Sequence, residues 1–136
     1  MRKAASLGFS VSKPWGEGER YDFIVRVETL LWRVQVKSAL GKTPLRPHFR
    51  VKTAAGRPHK VSFYSPDEID FLVAYVFHDD LWYVFPAAVI QHKKEVCLSP
   101  GSKRSRFEQY RDAWNLMRPP APEPVPENAP EKLIQT

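Results

Sequence analysis

Apolar and polar side chains alternate strictly over residues 31–38 (LWRVQVKS): Trp32, Val34 and Val36 fall on one side, Leu31, Arg33, Gln35 and Lys37 on the other. Successive side chains of a strand point to opposite faces, so this spacing predicts a half-buried strand with a donor-rich polar face. Residues 21–27 (YDFIVRV) alternate in the same way, with Tyr21, Phe23, Val25 and Val27 on the apolar side. The short gap around Glu28, Thr29 and Leu30 predicts an antiparallel hairpin. With a two-residue turn at Glu28-Thr29 or Thr29-Leu30, Asp22 falls opposite Gln35 or Lys37, and directly opposed residues share a face. A one-residue slip would carry Phe23 and Val25 to the polar side, so burial selects this register. A carboxylate, an amide and an amine thereby converge on one patch.

The remaining pattern places shorter elements around this hairpin. Residues 1–7 form a brief helix stopped by Gly8, and residues 9–12 a short strand. Residues 13–20, with Pro14, Gly16 and Gly18, make a loop, as do residues 41–47. Residues 48–53 alternate, predicting a strand with Phe49 and Val51 inward and Arg50 and Lys52 outward; residues 60–64 form another. Ser65 caps a short helical start. The apolar run at 69–77 then suits a strand covered on both faces at the centre of a sheet, paired with 81–85 after a turn at His78, Asp79 and Asp80. A short helix at 86–90 and a strand at 94–98 follow. Residues 105–116 give the clearest helical pattern: Ser105 and Glu108 match a capping box, and Phe107, Tyr110, Trp114 and Met117 lie at helical spacing. Residues 119–136 open on repeated prolines and predict a disordered, polyproline-like tail, leaving one folded domain at 1–118.

Composition narrows the class. Aromatic residues make up 12% of the chain and hydrophobic residues 43%, which is a globule's content. No apolar run approaches the ~20 residues of a membrane span, and no signal-peptide pattern opens the chain, so no membrane partner is expected. The single cysteine, Cys97, has no internal partner for a disulfide, which fits a reducing, cytoplasmic setting; within a strand pattern it reads as a buried, inert thiol. The net charge is +6, but the tail carries −2, which leaves the preceding 118 residues at +8. No acid occurs between Glu28 and Asp67, where Arg33, Lys37, Lys42, Arg46, Arg50, Lys52, Arg57 and Lys60 lie. A basic tract of this kind is the electrostatic footprint of a polyanion, and with Arg20 it forms the candidate nucleic-acid surface.

Asp22, then Gln35-Val36-Lys37 on the partner strand, resembles the core of the PD-(D/E)XK nuclease superfamily. The segments RYDF, WRVQVKS, IDFLVAYV, LWYVFP and SRFEQYRDAW, read together from about residue 4 to 117, resemble the PD-(D/E)XK endonuclease family. That family is related to group I intron homing endonucleases and, more distantly, to archaeal Holliday-junction resolvases. The resemblance implies an α/β (α+β) restriction-endonuclease-like fold: a mixed central sheet flanked by helices, with extra strands after the catalytic hairpin. It also implies a DNA endonuclease using Mg²⁺ or Mn²⁺, with Asp22, Gln35 and the Val36 carbonyl as metal ligands. Lys37 would assist the attacking water or stabilise the phosphorus centre, and Arg33 would hold a neighbouring phosphate. A homodimer or homotetramer is expected of an enzyme that cuts both strands, acting in the cytoplasm and at the nucleoid.

The sequence departs from the family pattern at three places. Tyr21 precedes the aspartate where the family name has proline, Gln35 stands where Glu or Asp is usual, and residues 1–7 hold no acid although related enzymes place a Glu on the first helix. A start upstream of Met1 could supply that Glu. A catalytically silent nuclease fold that binds nucleic acid through the basic tract is the alternative, and a protein-interaction domain using the proline tail a third.

Overall fold

The computed structural model describes residues 1–16, 18–39, 48–56 and 60–121, with backbone alone for His78. The expected loop at 41–47, with Lys42 and Arg46, lies outside the described residues, as do Arg57 and the tail beyond residue 121. No described helix is long and apolar enough to cross a membrane.

The alternating runs become the second and third strands of a five-stranded sheet. Strand β1 (Ser10–Ser12) pairs antiparallel with β2 (Phe23–Val27), which pairs antiparallel with β3 (Leu30–Ser38). Val27 lies opposite Leu30, so the turn is Glu28-Thr29, and Glu28 takes a positive φ of 57° to close it. After β3 the chain crosses over through β4 (Phe49–Lys52), β5 (Ala54–Ala55) and β6 (Ser62–Phe63). It then returns as β7 (Phe71–Val76), parallel to β3, and folds back as β8 (Leu81–Pro86). The sheet order is β1-β2-β3-β7-β8, a central mixed sheet with few helices. As its continuous apolar run requires, β7 is central, with five of its six residues buried.

Period-two alternation divides β7 between two cores. Phe71 and Val73 pack with Val25, Val27, Val34 and Val84 beneath α1 (Arg2–Ser6), Phe9, Trp114 and Met117. Leu72, Ala74 and Val76 pack on the opposite face with Tyr83, Phe85 and α2 (Ala87–Ile90). That second face is roofed by a two-stranded ribbon in which β4 pairs antiparallel with β9 (Glu95–Leu98), contributing Phe49, Val51, Val96 and Leu98. Arg50, Lys52, Glu95 and Cys97 point outward from this ribbon and are exposed. Cys97 is therefore a surface thiol, because β9 alternates and only Val96 and Leu98 face inward.

The segment 105–117 is not the single helix its spacing predicts. It makes two 3-10 turns, Glu108–Tyr110 and Trp114–Met117, separated by extended Arg111 and by Asp112 at φ 50°. Phe107 and Tyr110 pack on the core beneath the ribbon, whereas Ala113, Trp114 and Met117 pack on the opposite core. One straight helix has a single apolar stripe and cannot serve both faces of a sheet. The chain instead wraps the β8 edge, where Arg111 bridges Tyr83 and the Asp112 amide donates to the Trp82 carbonyl at 2.8 Å. Glu108 leaves its capping role and accepts from the Tyr83 hydroxyl at 2.8 Å and from the Gly101 amide.

Candidate active site

Asp22, the carboxylate of the predicted patch, stands where β2 begins. Strand pairing starts at Phe23, opposite Val34, so Asp22 stands one residue outside the ladder. Its amide donates to the Val34 carbonyl at 2.8 Å, and its carboxylate Oδ2 accepts from the Val36 amide at 3.0 Å. A side-chain oxygen thus replaces the backbone carbonyl that a longer β2 would have offered. Oδ1 makes no hydrogen bond among the described residues.

The same break exposes a second oxygen. N–H and C=O of one antiparallel strand residue face the same neighbour, so Val36 directs its carbonyl toward the gap left by β2. Its side-chain partner is the Gln35 amide, with Nε2 at 3.4 Å. Gln35 is 8% exposed and is one of only two buried polar side chains among the described residues. Lys37, two residues on, shares its face and is half-buried. Gln35 and Lys37 lie level with Leu72 and Ala74 of β7, so the patch occupies the face roofed further along by the β4–β9 ribbon.

Two of the predicted phosphate-binding arginines are engaged within the fold. The Arg33 guanidinium donates to both oxygens of Asp70 (Nε 3.2 Å, Nη2 3.1 Å), to the Asp67 carbonyl at 2.6 Å and to the Pro66 carbonyl at 2.9 Å. Its backbone amide also donates to Asp70, at 2.8 Å. The hydrogen bond with Asp70 raises the Arg33 pKa further, against the opposing effect of burial. Arg20 forms an ion pair with Glu68 at 3.0 Å and donates to the Ser62 and Phe63 carbonyls. Arg50 and Lys52 stand exposed on the ribbon, and Lys60 is exposed beyond β5. Sequence reasoning missed Tyr64, Glu68 and Asp70, which are brought to the hairpin only by the crossover into β7 and carry no local signal of that approach.

A carboxylate, an amide and a backbone carbonyl are thus joined here by the hydrogen bonds from the Val36 amide to Asp22 Oδ2 and from Gln35 Nε2 to the Val36 carbonyl. Oxygen donors suit hard divalent cations, and Mg²⁺ tolerates few protein ligands because it keeps waters and substrate phosphate. Gln35 fits this set once its amide turns its oxygen to the patch. Amide oxygen and nitrogen are distinguished by their partners, and Nε2 faces the Val36 carbonyl because two oxygens without a cation would repel. No group of three His, Cys, Asp or Glu side chains able to hold a metal occurs among the described residues, so a cation here would rest on one carboxylate and two neutral oxygens.

A family model described as PD-(D/E)XK endonuclease matches residues 1–117. Among solved structures, the bacterial homing endonuclease I-Ssp6803I aligns with a TM-score of 0.74 at 35% sequence identity, covering 85% of this chain and 82% of that one. None of the curated proteins compared with the chain matches it. The central mixed sheet is thus of the restriction-endonuclease-like kind. By the span of the family match and the likeness to a solved endonuclease, the chain belongs to the PD-(D/E)XK endonuclease family.

Proposed function

We propose that this protein is a divalent-metal-dependent DNA endonuclease whose site is Asp22, Gln35, Val36 and Lys37. The observation that carries the reading is the Asp22 carboxylate, anchored through Oδ2 on the Val36 amide and with no hydrogen bond to Oδ1 among the described residues. Asp22, the Gln35 amide oxygen and the Val36 carbonyl would hold Mg²⁺ or Mn²⁺. A bound cation of this kind neutralises charge on phosphoryl oxygens and makes water nucleophilic near neutral pH. Asp22 and the β3 backbone fix where the phosphate lies. Lys37, free of hydrogen bonds and ion pairs among the described residues, orients the attacking water and sets positive charge against the crowded phosphorus centre.

The substrate's backbone runs from this patch toward the ribbon. Arg50 and Lys52 point outward from β4, with Lys94 exposed just before β9 and Lys60 beyond β5. A two-stranded antiparallel ribbon fits the DNA major groove, and its cations release counterions from phosphate. Arg20 and Arg33 shape the site rather than bind phosphate, since carboxylates already occupy them. Cutting both strands takes two such sites, so a homodimer or homotetramer acting on nucleoid DNA in the cytoplasm is part of the proposal.

The test is cleavage of supercoiled plasmid and branched DNA with Mg²⁺ by wild type, Asp22→Asn and Lys37→Ala. We expect both substitutions to reduce cleavage by about 100-fold or more. Activity that survives both would refute the assignment. The second reading, a silent DNA-binding module, is favoured by the Gln35 amide lying on the Val36 carbonyl where a second carboxylate is usual. It predicts salt-steep binding unchanged by Asp22→Ala and no cleavage with any divalent ion.

A further inference from the structure

Lys37 must present its ammonium at the patch, yet no described acceptor holds it there. Among the described residues the ammonium meets an aromatic face: Nζ stands 5.6 Å from the centre of the Tyr64 ring. Tyr64 is 3% exposed and belongs to the core beneath the ribbon, with Leu72 and Ala74, so its ring cannot readily swing away. The Arg20 guanidinium lies 4.7 Å from the same ring centre. Arg20 is pinned on both sides of Tyr64, by the Ser62 and Phe63 carbonyls before it and by Glu68 after it. Glu68 is thereby taken up by Arg20 and is not left to capture Lys37.

A carboxylate would hold an ammonium more firmly, but it would consume donors and cancel the charge. The negative face of an aromatic ring attracts the cation and leaves all three N–H groups free. We infer that Tyr64 is the positioning residue for Lys37, holding its ammonium over the Asp22–Gln35 patch with its donors available to water and phosphate. The inference rests on the reading of Lys37 as the amine that assists cleavage.

The experiment measures kcat and KM for Mg²⁺-dependent plasmid cleavage by the full chain. Tyr64→Phe is followed by the same position carrying phenylalanine with one, two and three ring fluorines, which weaken the ring's negative face at nearly constant volume. Tyr64→Phe should stay within about twofold of wild type, and kcat should then fall stepwise to about tenfold lower at three fluorines, with KM and melting temperature steady. Tyr64→Leu should fall at least as far. An unresponsive kcat across the fluorine series, in a protein that Lys37→Ala inactivates, would overturn the positioning role. So would a loss already complete in Tyr64→Phe, which would assign the effect to the hydroxyl. Full activity in Lys37→Ala would instead strike the underlying reading of Lys37, and the two failures are thus distinguishable.

Discussion

Replacing Gln35 by Glu tests the site with a readout that does not depend on cleavage. The Asp22 carboxylate accepts from the amide of Val36, next in the chain to Gln35, and side chains that face each other across paired strands sit roughly 5 Å apart. A second carboxylate there repels the first by about 3 kcal/mol at an effective dielectric near 20. Asp22 is partly open to solvent, which reduces the cost to about 1.5–3 kcal/mol. The variant also loses the Gln35 amide hydrogen bond to the Val36 carbonyl and sets two oxygens against each other. For a folded body of this size, the metal-free melting temperature should fall by roughly 5–10 °C near pH 8. The penalty should fade near pH 4, because like charges raise one carboxyl's pKa and protonation removes the repulsion. A divalent cation reverses the sign, since ligand charge tightens its binding. A tenfold gain in affinity returns about 1.4 kcal/mol at saturating metal, so about 10 mM Mg²⁺ should raise the variant's melting temperature several degrees more than the wild type's. Scanning calorimetry with and without Mg²⁺ at both pH values reads all of this. A variant as stable as wild type without metal, or one that Mg²⁺ stabilises no further than wild type, would show that Asp22 and Gln35 do not share a cation.

Arg33→Met should cost about 1–3 kcal/mol in urea unfolding, because Asp70 and the Pro66 and Asp67 carbonyls lose a shared donor that is about one-third exposed. The same substitution should leave the salt dependence of DNA binding unchanged, whereas Arg50→Ala and Lys52→Ala should each lower its slope by about one; equal slopes for all three would refute the division of labour. Tyr83 is fully buried and bonded to Glu108, and burial followed by that bond pushes its pKa well above the usual phenol value. Its contribution is therefore complete below about pH 10 and is lost at about 1.4 kcal/mol per pH unit as pH rises toward the folded-state value. Urea midpoints measured from pH 8 to 11 should fall less steeply in Tyr83→Phe than in wild type, and parallel curves would overturn this account.

The hairpin was legible because its determinants are local. Alternation set the faces of β2 and β3, and coincidence of the apolar sets excluded a one-residue slip while leaving the turn at Glu28-Thr29 or Thr29-Leu30, of which the structure takes the first. The same rule read β4 correctly, with Phe49 and Val51 in and Arg50 and Lys52 out. It did not read residues 105–117, because spacing reports that side chains are apolar and not which face of a sheet each one meets. Phe107 and Tyr110 serve one core and Trp114 and Met117 the other, a division that exists only once β8 has become an edge. The charges show the same boundary. In sequence, Arg20 and Arg33 look as available to DNA as Arg50 and Lys52. The acid-free tract ends at Asp67, and the turn that closes it delivers Glu68 and Asp70 to the hairpin, where they bind Arg20 and Arg33. The acids nearest the tract thus stabilise the crossover against the hairpin. They leave the cations of β4 exposed, so the same crossover that hides two arginines defines the basic surface proposed above to meet a DNA duplex.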